Sequence, residues 1–319
     1  MSPHSDLHQS GHDHPTARTP AQGHGHGSTE IDWAAMVAHL ERNGEIQLPV
    51  LRRAAARLRE LIGPDHEVRR ILDVGSGPGV MTCVLAEAFP EAETVAVDGS
   101  TGLLDQALVR AGRLGLGDRV TVLHAELPAG LDGGDGPAGS VLGTADLIWS
   151  SKAVHHLGDQ QAALTGLAAL LRPGGVLAVA EGGLPARFLP RDIGIGRPGL
   201  QARLDAAQEE WFAAMRADLP GTTAVTEDWP AMLGHAGLTG TGGFTLVLDL
   251  PAPLDTAARE FLHANLDRIW QSMDGPLDEE DRRTLGVLVD PQSPDGILRR
   301  PDAFLLDATT VYTGTRPAR

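Results

Sequence analysis

From Arg70 onward, short apolar runs alternate with amphipathic stretches of helical period. ILDV (71–74), TVAV (94–97), RVTVL (119–123), ADLIW (145–149) and VLAVA (176–180) are apolar almost end to end, the pattern of strands buried on both faces. Helical stretches fall between several of them, at 79–89, 101–114 and 159–171. This alternation predicts right-handed βαβ crossovers and a doubly wound parallel sheet with helices on both faces, an α/β fold. After Glu181 the rhythm loosens. Helices are predicted near 199–217 and 228–236, a strand from about Gly243 to Leu250, helices near 255–273 and 278–289, and a closing strand over 304–314. No internal repeat of fixed period is present.

Two helices are predicted upstream. Ser28 and Thr29 can cap one through IDWAAMVAHLER (31–42). The second, from about Glu45 to Ile62, sets Leu48, Leu51, Ala55, Leu58 and Ile62 on one face before Gly63 and Pro64 end it. Residues 1–28 carry His, Gly, Ser, Pro and Thr and almost no large apolar side chain, the composition of a disordered tail. Its six histidines (His4, His8, His12, His14, His24 and His26) match no structural zinc spacing, so no metal site is expected. The chain therefore divides into a tail (1–28), N-terminal helices (29–66), an alternating core (67–182), and remaining strands with helical additions suited to a lid (183–319).

Composition narrows the function classes. No apolar run reaches the roughly 18–20 residues of a membrane span, and MSPHSDLHQS lacks the order of a secretory signal. The single cysteine, Cys83, excludes an internal disulfide framework, reads as a buried small hydrophobe and fits a reducing cytoplasm. With 42 acidic against 26 basic residues, the net charge of −16 opposes binding to nucleic-acid phosphates. Lys152 is the only lysine.

The chemistry concentrates at predicted strand ends. In ILDVGSGPGV a strand ends at Asp73, and Gly75, Gly77 and Gly79 lead straight into a helix. Such a turn lets a ligand approach the backbone and faces it with free N–H groups. Val80 stands where the dinucleotide fingerprint needs its third glycine, and no Lys-Ser or Lys-Thr follows to make a phosphate loop. Asp98 ends the second strand, where a carboxylate can accept from both hydroxyls of a ribose. Its competing reading is a helix cap, a role Ser100 fills better. After the third strand, Glu126 could accept from an adenine amino group while Ala125 leaves room for the ring; a solvated loop glutamate is the alternative.

LDVGSGPG, VAVDGS, AEL, ADLIWSSKAVHHL and LRPGGVLAVAE, in that order across residues 68–182, resemble the class I S-adenosylmethionine-dependent methyltransferases of the small-molecule type. The resemblance implies a mostly parallel, seven-stranded Rossmann-like sheet whose last strand runs antiparallel. It implies S-adenosyl-L-methionine as cofactor and in-line methyl transfer to an O, N or C atom of a small molecule such as a secondary metabolite. By that likeness Asp73 and the turn of Gly75, Ser76, Gly77 and Gly79 hold the methionine end. Asp98 takes the ribose with Gly99 and Ser100 beside it, Ala125 and Glu126 line the adenine pocket, and Ser150 or Ser151 lies beneath the cofactor. The family often has Asp where Glu126 stands.

His155 and His156 follow the fourth strand and are the candidate base or orienter; a helix cap is the competing role. Glu181, ending the fifth strand, points toward the same region, while Lys152 is expected to turn away from a sulfonium. Phe188, Trp211, Phe212, Trp229, Phe261 and Trp270 are candidates for the acceptor surface or for core. Two alternatives stand beside the transferase: a non-catalytic cofactor-binding regulator or scaffold, and an enzyme of this fold doing other chemistry. Nucleic-acid and protein methylation are disfavoured by the charge and by Trp149-Ser150-Ser151-Lys152 in place of an Asn-Pro-Pro-Tyr type sequence.

Overall fold

Seven strands pair in the order β3-β2-β1-β4-β5-β7-β6 in the computed structural model, which describes residues 33–131, 140–272 and 277–318. They are β1 (Arg70–Val74), β2 (Glu93–Asp98), β3 (Val120–His124), β4 (Ala145–Ser151), β5 (Leu171–Arg187), β6 (Thr239–Leu250) and β7 (Leu305–Thr315). The first five run parallel, and β7 is antiparallel to both β5 and β6. The chain moves outward from β1 to β3 and then returns to lay β4 on the other side of β1. That reversal opens a crevice at the carboxyl ends of β1 and β4, where sheets of this kind bind ligands.

Alternation along the strands sorts the side chains into two cores. Ile71, Leu147, Trp149 and Ala178 face a cluster completed by helices α1 (Trp33–Ile62), α2 (Val80–Ala88), α5 (Leu200–Ala217), α7 (Thr256–Ser272) and α8 (Glu279–Val289). Leu72, Val74, Ile148 and Val179 face the other way, against α4 (Gln160–Ala169) and α6 (Trp229–His235). Helix α3 (Thr101–Arg113) packs Leu104 and Ala107 on Ala96. Phe188, Phe261 and Trp229 are core residues, whereas Trp211 and Trp270 are exposed. Among the described residues no helix is long and apolar enough to cross a membrane.

The upstream segment differs from the two helices expected of it. It is one helix of 30 residues that runs through Gly44 and Pro49. Gly44 is a point of close approach, not a stop: a Cβ there would sit 2.4 Å from Val80 Cγ2 and 2.9 Å from Val80 Cβ. Pro49 forfeits one backbone bond, a loss of about 3 kcal/mol in an isolated helix interior. Burial of Val50, Ala54, Ala55 and Leu58 offsets it. Two polar bonds fix the middle of α1 on either flank, Arg110 of α3 to Glu45 and Gln47 to Asp307 of β7. The proposed caps Ser28 and Thr29, and the tail before them, lie outside the described residues.

The later helices are pinned by charge as well as apolar contact. Asp281 of α8 is 2% exposed and accepts from the guanidinium groups of both Arg197 and Arg203. The α1–α2 contact yields a stability test. Gly44→Val should destabilise the fold by about 1–3 kcal/mol through overpacking, seen as a lower urea midpoint; an unchanged midpoint would show that α1 does not need this close approach.

Candidate active site

The turn after β1 is shaped by what touches it. Gly75, Gly77 and Gly79 all have positive φ, at 74°, 53° and 74°. A Cβ on Gly75 would lie 2.5 Å from Ala153 Cβ, and one on Gly79 would lie 2.5 Å from Ala107 Cβ. These glycines thus let the turn nest between α3 and the loop after β4. Around Gly77 the space is open, with nothing within 4 Å of a notional Cβ. The N–H groups of Gly75 and Ser76 both donate to Val97 O, at 2.9 and 3.0 Å, tying the turn to β2.

Asp98 makes the second tie. Its Oδ2 accepts the Gly77 N–H at 2.9 Å and its Oδ1 accepts the Ser100 N–H at 2.9 Å. Each oxygen keeps a further lone-pair direction, so the carboxylate can still accept from a diol. Ser100, not Asp98, caps α3, its side chain accepting the Leu103 N–H. Asp73 is 2% exposed beneath the turn and accepts from the Thr82 hydroxyl at 2.5 Å. Burial pushes its carboxyl up to about 7; the Asp98 charge adds to this and the Thr82 bond opposes it.

At the third tip, Ala125 donates its N–H to Asp98 O at 3.1 Å, and His124 Nε2 lies 2.8 Å from Gly99 O. Gly99 lies against Glu126: a Cβ on Gly99 would stand 3.5 Å from Glu126 Cγ. Ala125 is buried while Glu126 is exposed. The structure therefore brings Gly75–Gly79, Asp98–Ser100 and Ala125–Glu126 together at one edge of the sheet. Ser150, fully buried at the end of β4 opposite Val74, has a hydroxyl with no hydrogen-bond partner. The open space at Gly77, the spare acceptor directions of Asp98 and the orphaned Ser150 hydroxyl fit a nucleoside with a polar tail.

Behind this edge stands a carboxylate–imidazole pair. Glu181, 3% exposed, accepts the N–H groups of Ala153 and Val154 on Oε1, both at 3.1 Å, and meets His155 Nδ1 with Oε2 at 2.6 Å. An ionised carboxylate only accepts, so Nδ1 carries the proton and Nε2 is left as an acceptor. His156 Nε2 lies 3.1 Å from it. Burial first, then His155 and Arg216, push the His156 imidazole down to about 4, so it is neutral near pH 7 and donates its Nε2–H to His155.

Arg216 escaped the sequence reading, and so did the place of Phe212, expected only in the acceptor surface or the core, beside His155. Arg216 donates to His155 O, and to Leu157 O at 3.3 Å, holding the loop from 61 residues away. Phe212, one turn earlier on α5, stands edge-on to His155 with ring centroids 5.3 Å apart. Their i, i+4 spacing was the available signal, but nothing in it named the loop they serve. Cys83 is buried, and burial pushes its thiol up to about 11, which makes it inert packing.

Residues 72–177 match the family model described as a methyltransferase domain. A trans-aconitate 2-methyltransferase from Methylobacterium radiotolerans is 34% identical over 129 residues, covering 40% of this chain and 43% of the relative. A malonyl-[acyl-carrier protein] O-methyltransferase from Dechloromonas aromatica is 37% identical over 139 residues, 44% of this chain and 45% of that one. The chain thus spans under half the length of these curated relatives. A solved O-methyltransferase family protein from Burkholderia thailandensis aligns with a TM-score of 0.46 at 14% identity, over 90% of this chain and 58% of its own.

Two measurements probe the geometry. Asp98→Ala should weaken S-adenosylhomocysteine binding at least about tenfold by calorimetry, from loss of charge-assisted bonds; unchanged affinity removes the ribose assignment. His156 binds its proton less readily folded than unfolded, so its contribution is complete above about 6.5 and is lost as the pH falls toward about 4. Urea midpoints should show His156→Asn flattening that slope; parallel curves would contradict the shift.

Proposed function

We propose, on the premise that residues 72–177 are a methyltransferase domain of the class I S-adenosylmethionine-dependent kind, that this chain methylates a small molecule at an oxygen or nitrogen whose proton passes to His155. The carrying observation is the Glu181–His155 pair, set beside the glycine turn by Ala153. S-adenosylmethionine, when bound, supplies a methyl group already activated on a sulfonium. Gly75, Ser76, Gly77 and Gly79 would hold its methionine end, over Asp73. Asp98, with Gly99 and Ser100, would hold the ribose, Ala125 and Glu126 the adenine, and Ser150 would lie beneath.

The protein's own part is to position the acceptor, exclude water and receive a proton. Glu181 fixes the imidazole tautomer and stabilises the cation formed when His155 Nε2 takes a proton. His156 occupies that lone pair at rest, and the protic group of the acceptor takes its place. Arg216 and Phe212 hold the loop and ring while this exchange occurs. The α1–α7 layer walls the face above β4.

A small acceptor is supported by the first relative, whose name gives trans-aconitate as its own, and the second names a malonyl group carried on a protein. The excess of acidic residues opposes a nucleic-acid substrate. A single buried cysteine supports a reducing, cytoplasmic setting.

Labelled-methyl transfer to a panel of phenols, alcohols, amines and carboxylic acids tests the reading. At least one class should be methylated, with His155→Gln lowering kcat by about 10²–10⁴-fold at unchanged S-adenosylhomocysteine affinity. Glu181→Gln should lower kcat less. Undiminished kcat in His155→Gln would remove the base, and cofactor binding without transfer to any class would favour a regulator or scaffold.

A further inference from the structure

Helix α5 crosses the strand tips with one row of side chains on the core and another on the loops. Leu200, Leu204 and Ala207, spaced by four and three, are buried in the cluster shared with α1 and α7. Along the flank of that row, Gln201 accepts the Phe188 N–H at 3.0 Å and Asp205 pairs with Arg187 at 2.7 Å, both at the end of β5. Further on, Phe212 meets His155, and Arg216 donates to Leu157 O at 3.3 Å. The helix thus runs from the end of β5 to the loop after β4 and is bonded to both.

Trp211 is the next position of the buried row, four residues after Ala207, yet it is 47% exposed. The core ends beneath it. Other tryptophans of the chain find partners: Trp229 stacks on Tyr312, and the Trp270 ring centre lies 5.8 Å from the Arg282 guanidinium. Among the described residues, Trp211 makes no hydrogen bond and no ring contact. Phe212, beside it, is half-buried, and its edge-on contact with His155, at 73° between the ring planes, leaves its faces clear of the imidazole. Met215, also half-buried, follows Trp211 by four residues and Phe212 by three, so it lies against both. A large apolar surface left open to water is unfavourable. This one adjoins the imidazole that Glu181 holds as a base, so whatever covers it also meets His155.

We propose that Trp211 and Phe212 form an aromatic platform that seats a planar phenolic acceptor with its hydroxyl at His155 Nε2. The proposal rests on the methyltransferase reading and names the substrate class for that same site. A flat arene gains from aromatic neighbours beyond the apolar area it buries. The base points the same way. An unprotonated amine or a carboxylate has its lone pair ready, and an aliphatic hydroxyl holds its proton too firmly for an imidazole, whereas a phenol gives its proton up at about 10. In the step, the phenol oxygen bonds the methyl carbon as the carbon–sulfur bond breaks. The electron pair of that bond stays on sulfur and the hydroxyl proton moves to Nε2, so one positive charge is lost at sulfur and one appears on His155.

Calorimetry on protein saturated with S-adenosylhomocysteine tests this. The titrants are phenol and 2-naphthol, with cyclohexanol and decahydro-2-naphthol as their saturated matches. At least one arene should bind about fivefold tighter than its match. Trp211→Leu and Phe212→Leu keep apolar bulk and lose a flat face, so each should weaken the arene by about three- to tenfold and the saturated match by less than about twofold. Arene binding should also quench tryptophan fluorescence in the wild type, and Trp211→Leu should remove most of that change. S-adenosylhomocysteine affinity within about twofold of wild type reports the folding of both variants. Equal binding of arene and saturated match, no arene binding by the loaded wild type, or undiminished arene binding by the Trp211→Leu/Phe212→Leu double variant would overturn the platform. So would methyl transfer to amines or acids with none to phenols, which leaves the methyltransferase reading standing. Failure of the wild type to bind S-adenosylhomocysteine would instead overturn that reading, and the platform with it.

Discussion

A single carboxylate joins the strand tips on which the site depends. Asp98 sits at the end of β2 and accepts one backbone N–H from the glycine turn and one from the start of α3. Its own carbonyl accepts the N–H of Ala125 from the tip of β3. Three loops that share no sequence neighbourhood are thereby brought into register around one residue. The parallel pairing of β1 with β2 and of β2 with β3 makes this possible, because it leaves all three strand ends at the same edge. Asp73, close below, feels the Asp98 charge, so the turn is built over two acids of which only one lies open to a ligand.

The other half of the crevice is organised by Glu181. A buried carboxylate must be satisfied, and this one accepts two backbone N–H groups and an imidazole. The same bonds that offset its burial fix the loop after β4 and the tautomer of His155. Structure and chemistry are therefore served by one group, and the ring edge of Phe212 and the reach of Arg216 add rigidity from α5. The edge at β1–β3 is made from backbone and short side chains, whereas the part around Glu181 draws on the long side chains of Arg216 and Phe212 from α5.

The strands and most helices were legible in the sequence because both faces of the sheet are buried, which leaves uninterrupted apolar runs such as ILDV and VLAVA. The glycine turn and Asp98 were legible because the backbone there needs glycine and a short acceptor. The continuity of α1 was not. Gly44 reads locally as a break, and its reason is Val80, 36 residues later in the chain. Arg216 reads as an ordinary polar helical residue and Phe212 as a surface or core aromatic, since their contact with His155 comes from a loop on another element.

A crystal structure of the protein with S-adenosylhomocysteine tests the central claim most directly. The account places both ribose hydroxyls in hydrogen-bond reach of Asp98, the adenine beside Ala125 and Glu126, and the sulfur facing the loop that carries His155. A nucleoside bound away from Asp98, or strand tips occupied by the protein's own side chains, would contradict it.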